Sequence, residues 1–148
     1  MRIELTPFKQ TQAYTCVAAC LRTVLAALGA DYSEEDLVRA CNTSPVGATL
    51  ADAAAAARSL GFNALFIPEA TFEMLTEWLQ QGVLMIVGLA ADDIVHGATG
   101  GHAVVACGVE QGYVVVVDPS IGGERELEVE TFLRAWRRRG NRGLVVLR

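Results

Sequence analysis

The pattern of hydrophobic and polar residues changes about halfway along the chain. Up to Gly82, apolar residues recur at helical spacing in four segments, and each segment follows a threonine or serine suited to cap a helix. Beyond Gly82 the apolar residues form short β-branched or aliphatic runs separated by glycine-rich turns, a pattern typical of strands. Helices followed by strands predict an α+β fold in which a helical N-terminal half packs on a largely antiparallel sheet.

The caps and stop signals give each predicted element a range. We expect helices at 16–28, 34–41, 50–60, 72–81 and 129–138. We expect strands at 62–67, 83–89, 102–109, 113–117 and 144–147. Residues 2–9 are expected to be an extended lead, because Pro7 disfavours helix, and 42–48 a loop that contains Pro45 and Gly47.

The first predicted helix is apolar on nearly every side, since only Arg22 and Thr23 interrupt its run of apolar and small residues. Such a helix is buried inside a domain. Thr15 is the expected N-cap and Gly29 the expected stop, so Cys16 lies in the first turn. Backbone N–H groups and the helix dipole favour a thiolate at that position. Cys16 is therefore a candidate nucleophile; the alternative is a small core residue, as most free cysteines are.

Length, charge and cysteine content limit the classes of protein. The 148 residues suffice for one domain, 1–148, with its own core. A net charge of −5 argues against a general nucleic-acid partner. With no signal peptide and no apolar run of membrane length, the four cysteines are expected to be reduced in a cytoplasmic protein. The arginines near the C-terminus are expected to be the solvated face of the last helix and its exit loop: Arg134, Arg137, Arg138, Arg139 and Arg142.

The chain offers two histidines as partners for the Cys16 thiol. His102 stands at the start of a predicted strand, and the next strand ends at Asp118. The tight turn between these strands predicts an antiparallel hairpin in which His102 lies opposite a residue within about two of Asp118. An imidazole held by a carboxylate on one nitrogen can present the other nitrogen to a thiolate. The alternative is a polar strand end and an Asp-Pro turn. His96 falls in a glycine-rich connection at the sheet edge.

Gln10, Cys16, His102 and Asp118, in that order, resemble the catalytic residues of papain-like cysteine peptidases of the C39 type. These peptidases process bacteriocins by removing leader peptides after a double glycine. The resemblance extends over almost the whole chain and includes the segments Cys-x-x-x-Cys-Leu-x-x-Val-Leu-x-x-x-Gly, Ser-Glu-Glu-Asp-Leu, Gly-x-Thr-Leu, Gly-His-Ala-Val-Val and Val-Val-Asp-Pro-Ser. It implies a papain-like fold in which the cysteine is the nucleophile and the histidine the general base and acid. The aspartate would orient the histidine, and the glutamine would contribute to the oxyanion hole.

Two residues depart from the family pattern. Val17 stands where the family usually has glycine after the nucleophile, and Thr15 where it often has an acid. A valine side chain that reaches the cleft would narrow it. Many members of the family are fused to a membrane transporter, which for this chain would be a separate partner.

The function implied is hydrolysis of peptide bonds through a Cys16 thioester, without a cofactor or metal. The substrate would be a peptide or protein, such as a precursor peptide cut after small Gly-Gly-like residues of its leader. If an amine resolves the thioester, the same site is an acyl transferase. A catalytically silent peptide-binding domain on the same fold is a second class of function. Zinc binding is a third, because Cys16 and Cys20 at i, i+4 share one helix face and could bind the metal together with a histidine.

Overall fold

The structure is a computed structural model that describes residues 1–148. Its α-helices are α1 (Cys16–Ala27), α2 (Glu34–Ala40), α3 (Leu50–Ser59), α4 (Phe72–Gln80) and α5 (Val129–Arg138). Its strands are β1 (Asn63–Ile67), β2 (Met85–Ala90), β3 (Gly101–Glu110), β4 (Tyr113–Asp118), β5 (Gly123–Glu128) and β6 (Gly143–Leu147). All the predicted helices are present, each ending within one residue of the expected position.

The strands form one six-stranded sheet in the order β1-β6-β2-β3-β4-β5, and every neighbouring pair is antiparallel. The predicted α+β fold with an antiparallel sheet is confirmed. Strand β5 was not predicted, because its sequence is mostly charged and only Leu127 in it is buried. It lies at the sheet edge, where one face and one side meet solvent and a hydrophobic run is not required.

Helices cover both faces of the sheet. One core joins α1, α2 and α3 to residues such as Val105 and Val115, and the other joins α4 and α5 to residues such as Val104 and Val114. The helical N-terminal half packs on the sheet as predicted, with α1, α2 and α3 on one face and α4 on the other face beside α5. Burial on both faces explains why β3 and β4 read as continuous apolar runs rather than alternating ones.

The two ends of α1 differ in how they are capped. Gly29 has a φ of +89° and ends the helix in the left-handed conformation, as predicted. Thr15 occupies the N-cap position, but its hydroxyl does not cap the helix. It donates instead to the carbonyl of Gln12 at 3.0 Å and accepts the Gln12 N–H at 3.1 Å. The first N–H groups of α1 are therefore left without a side-chain partner, at the end that carries Cys16.

The N-terminal lead is fastened to the sheet at two places. Its start pairs with β3 at a bulge, where the Ile3 N–H donates to the Cys107 carbonyl at 2.8 Å. Its end pairs with the residue after β4, because the Gln10 N–H donates to the Pro119 carbonyl at 2.8 Å. The lead thus places Gln10 next to the end of β4. No helix in the structure combines the length and the hydrophobicity that crossing a membrane requires.

Candidate active site

A cleft of about 550 Å³ opens at one end of the sheet. The first turns of α1 and α3 lie on one side of it, with Cys16 and Thr49, and the ends of the strands lie on the other, with Phe66 and His102. Val17 also lines the cleft, although it is buried. Cys16 and His102, the predicted nucleophile and base, therefore share one opening to solvent.

His102 and Asp118 are in direct contact, as the hairpin predicts. The His102 Nε2 and the Asp118 Oδ1 are 2.6 Å apart, and the Asp118 carboxylate is completely buried. The register pairs Val105 with Val117, so Asp118 lies across from Val104, two residues along β3 from His102. Because the contact uses Nε2, the other ring nitrogen, Nδ1, is the one left for the Cys16 thiol.

Four hydrogen bonds converge on the Asp118 carboxylate. Besides His102, the Arg125 Nε donates to Oδ2 at 2.6 Å, and Ser120 donates its N–H at 2.9 Å and its hydroxyl at 2.7 Å to Oδ1. Burial raises the pKa of the Asp118 carboxyl, but the hydrogen bonds from His102, Arg125 and Ser120 outweigh it and hold that pKa well below its usual range. Asp118 is therefore an anion across the physiological pH range.

Sequence reasoning missed Arg125 and Ser120. Ser120 carried a usable signal, since an aspartate followed two residues later by a polar residue is the pattern of an Asx turn. Arg125 carried none, because it reaches Asp118 only through the pairing of β5 with β4, and β5 has no hydrophobic pattern to reveal it.

The environment of Cys16 favours its thiolate, and that of His102 its imidazolium. Burial raises the pKa of the Cys16 thiol, yet hydrogen bonds with His102 and with the backbone of Ala103 and Val17, together with the charge of His102, bring it below the ordinary thiol value. Burial lowers the pKa of His102, but hydrogen bonds with Asp118 and Cys16 and their charges raise it to about 9. Both shifts favour the thiolate form of Cys16 and the imidazolium form of His102.

The other three cysteines differ from Cys16. All are buried and none forms a disulfide. Burial raises the pKa of Cys20 well above the ordinary thiol value and that of Cys41 and Cys107 to about 12. Nowhere do three His, Cys, Asp or Glu side chains lie together in a way that could hold a metal ion, so the proposed pairing of Cys16 and Cys20 with a histidine lacks a donor set.

Gln10 and His96 occupy different surroundings. The Gln10 Nε2 donates to the Gln12 carbonyl at 2.8 Å and contacts the Ala13 carbonyl at 3.4 Å, while its Oε1 is buried and accepts no hydrogen bond from the protein. Gln10 is thus held beside the turn that leads into Cys16, with its amide nitrogen turned to backbone carbonyls, and it does not line the cleft. His96 is exposed in the connection between β2 and β3 and does not line the cleft.

Taken together, the cleft contains a thiol at a helix N-terminus, an imidazole beside it and a buried carboxylate behind the imidazole. Nucleophilic catalysis by a thiol requires groups of these three kinds: a nucleophile, a proton carrier near it, and a group that orients the carrier. The side chains that would perform the chemistry come from α1, β3 and β4.

Comparison with known proteins gives the family and the fold. The model of the peptidase C39 family matches residues 5–140 of the chain, whereas no curated protein sequence matches it significantly. The peptidase domain of Streptococcus ComA, a bifunctional ABC transporter involved in a quorum-sensing pathway, has a TM-score of 0.79 at 22% identity, covering 98% of each chain. A double-glycine-motif protease from an AMS/PCAT transporter, solved in complex with the leader peptide, has a TM-score of 0.76 at 23% identity, covering 99% of this chain and 93% of that one.

A third solved structure, the peptidase domain of Streptococcus mutans ComA, has a TM-score of 0.67 at 16% identity and covers 97% of this chain and 99% of that domain. At these identities the structural likeness shows a common papain-like fold. The family model adds the sequence pattern, and it matches all but a few residues at either end. The chain is a cysteine peptidase domain of the peptidase C39 family.

Proposed function

We propose that the chain hydrolyses peptide bonds, with Cys16 as the nucleophile, His102 as the proton carrier and Asp118 as the group that orients it. The observation that carries the proposal is the 2.6 Å contact between His102 Nε2 and the buried Asp118 carboxylate. It fixes the ring so that only Nδ1 is available to Cys16. A domain that had kept the fold but lost the chemistry would have no need to maintain this charged group in its interior.

The reaction has two halves. The Cys16 thiolate attacks the peptide carbonyl carbon, and the His102 imidazolium gives its proton to the nitrogen of the leaving amine as the C–N bond breaks. The acyl group is then held on Cys16 as a thioester. Neutral His102 takes a proton from water, the resulting hydroxide attacks the thioester carbonyl, and the C–S bond breaks. The acid leaves, and the thiolate and the imidazolium are restored.

The oxyanion that forms in each half requires donors at the N-terminus of α1. The Cys16 N–H is one, because no side chain caps that end of the helix. We assign the second to the Gln10 side chain, which lies next to the turn before Cys16. Its Nε2 has two N–H groups. One donates to the Gln12 carbonyl at 2.8 Å, and the second contact, to the Ala13 carbonyl, is longer at 3.4 Å. The other would turn to the oxyanion.

We assign substrates with small residues before the scissile bond, as in a double-glycine leader. The lining of the cleft includes Gly88, Gly101 and Ala103, which carry at most a methyl group, and Val17. A backbone flanked by glycines can approach the thiol in such a cleft more closely than one with large side chains. One structural neighbour is described as a double-glycine-motif protease bound to a leader peptide, which supports the same class of substrate. A precursor peptide and a separate transporter are the partners that would follow.

The function is tested by comparing peptides that differ only before the scissile bond. Peptides ending in Gly-Gly at that point are expected to be cut with a higher kcat/KM than peptides with Leu-Leu, and Cys16→Ala should abolish both reactions. Gln10→Ala should lower kcat by about 10²-fold and leave KM near wild type, because an oxyanion donor acts on the transition state. Faster cleavage after Leu-Leu would contradict the double-glycine assignment, and appearance of amide products with an added amine would favour acyl transfer.

The two histidines are separated by the rate at which Cys16 is alkylated. His102→Ala should slow alkylation by iodoacetamide near neutral pH by about tenfold or more, since the thiol returns to an ordinary pKa. His96→Ala should leave the rate unchanged, because His96 is exposed outside the cleft. In the wild type, mass spectrometry should find Cys16 modified before the other cysteines, and peptide hydrolysis should fall above a pH of about 9, where His102 loses its proton. Equal labelling of all four cysteines would count against the mechanism.

Arg125 is expected to act by positioning Asp118. Arg125→Gln removes the hydrogen bond to Oδ2, so kcat should fall by up to about 10²-fold through misorientation of His102, while KM stays near wild type because Arg125 does not line the cleft. The pKa of Asp118 is lower in the folded state than in the unfolded state, so the ionised carboxylate stabilises the fold. This stability is fully present above the unfolded-state pKa and is lost as the pH falls through the folded-state pKa. Without Arg125 that loss begins at a higher pH.

Acid unfolding followed by circular dichroism measures the second effect. The matched control is Arg39→Gln, which removes an exposed arginine that pairs with Glu35 and Asp36 on the surface of α2 and should hardly change the acid midpoint. Arg125→Lys, which keeps the charge, should restore part of kcat. If Arg125→Gln and Arg39→Gln unfold at the same pH and have wild-type kcat, Arg125 has no positioning role.

A further inference from the structure

The charge inside the cleft is opposite to that of the chain as a whole. The protein has a net charge of −5 and 17 acidic residues, yet no aspartate or glutamate lines the cleft. Apart from the catalytic pair, its charged side chains are Arg139 and Arg142. We propose, on the basis of the function above, that these two arginines bind a carboxylate of the peptide substrate and so select acidic peptides.

Arg139 lies beside the candidate proton carrier. Its guanidinium fills the space over Gly101, the residue before His102: a Cβ built on Gly101 would lie 2.7 Å from Nη2 and 2.9 Å from Cζ. A side chain at position 101 would therefore displace the guanidinium, and glycine there allows Arg139 to lie against the strand. The positive charge consequently lies in the same cleft as Cys16 and His102.

The loop that carries Arg142 is held in place by a buried tryptophan. The Trp136 Nε1 donates to the Arg142 carbonyl at 2.9 Å, which fixes the backbone between α5 and β6. The Arg142 side chain folds over the same turn, with its Nε 3.5 Å from a Cβ built on Gly140. Both arginines therefore belong to one short, anchored segment that lines the cleft.

Neither arginine is neutralised by the protein. On the same helix, Arg134 pairs with Asp93 at 3.2 Å, and Arg138 pairs with Asp92 at 3.1 Å and with Asp93 at 2.9 Å. Arg139 and Arg142 form no ion pair, and their side chains donate no hydrogen bond to any residue of the chain. A guanidinium presents a planar fork of donors that matches a carboxylate. Two unneutralised forks in a cleft without acids thus form a site for an anion.

The sequence alone assigns these arginines to the solvated face of the last helix and its exit loop. All five are exposed in the structure, and two of them, Arg139 and Arg142, also line the cleft. Arg137 differs from these two because it lies outside the cleft, and like them it forms no ion pair. Arg137 has the same charge and lies at the same end of α5 but does not line the cleft, so it is the control for Arg139 and Arg142. The carboxylate could belong to an acidic side chain or to the C-terminus of a short peptide, and the two sources are distinguished below.

The first experiment measures the charge preference of the site without any peptide. The rate of Cys16 alkylation is measured with iodoacetate, an anion, and with iodoacetamide, its neutral analogue. In Arg139→Gln/Arg142→Gln the ratio of the two rates should fall by about tenfold relative to wild type, and in Arg137→Gln it should not change. Added salt should lower the ratio in the wild type and have little effect in the double variant. An unchanged ratio in the double variant would overturn the proposal.

The second experiment identifies the source of the carboxylate. Hexapeptides containing Gly-Gly, blocked at both ends, carry either Glu or Gln at one flanking position at a time, and a further peptide without acids has a free C-terminus. If the arginines bind an acidic side chain, the peptide with Glu at one flanking position should have a kcat/KM about tenfold or more higher than the peptide with Gln there. If the arginines bind a terminal carboxylate, only the peptide with a free C-terminus should have a higher kcat/KM. Either preference should be lost in the double variant and kept in Arg137→Gln.

These outcomes separate the two proposals. If no peptide is cut but the alkylation ratio falls in the double variant, the peptidase assignment fails and the anion site remains. If peptides are cut through Cys16 but neither carboxylate improves kcat/KM, or if a preference survives in the double variant, the arginine assignment fails and the peptidase remains.

Discussion

The carboxylate of Asp118 is fully buried and ionised, and the rest of the site depends on how its charge is compensated. Burying an unpaired carboxylate costs several kcal/mol, so the fold has to bring donors to it. It does so from three directions: Arg125 from β5, Ser120 from the turn after β4, and His102 from β3. The last of these donors also lowers the pKa of the Cys16 thiol, and it is the proton carrier that we propose. The requirement of the fold and that of the chemistry are thus met by the same contact.

The surrounding elements hold this contact next to an exposed helix end. The lead segment is tied to Pro119 through Gln10, and Thr15 bonds to Gln12 instead of capping α1, so the helix dipole and its first N–H groups act at Cys16. The pKa of His102 is raised in the folded state, so its protonation stabilises the fold fully below the unfolded-state pKa and this stability is lost as the pH rises through about 9. The protonation of His102 and its contribution to the stability of the fold therefore share one pH range.

The sequence was sufficient where a signal is local or repeats along one element. Caps, glycine stops and helical spacing predicted every helix, and hairpin length brought His102 to Asp118. It was insufficient where the position of a residue depends on tertiary structure. Arg125 reaches Asp118 from an edge strand that has no hydrophobic pattern. Arg139 and Arg142 have the sequence context of surface arginines, and only the structure shows that the segment after α5 lines the cleft. Thr15 shows a third case, in which the right residue type at a cap position bonds elsewhere because a neighbouring turn competes for its hydroxyl.

The central claim is that Asp118 and His102 keep Cys16 ionised at neutral pH. The most direct measurement is the ultraviolet absorbance of the thiolate as a function of pH, taken as the difference between the wild type and Cys16→Ser. We predict a thiolate signal already present near neutral pH, and its loss in Asp118→Asn, where the imidazolium is no longer stabilised by a charge. A difference spectrum that shows no thiolate until about pH 8.5, the ordinary range of a free cysteine, would contradict the account.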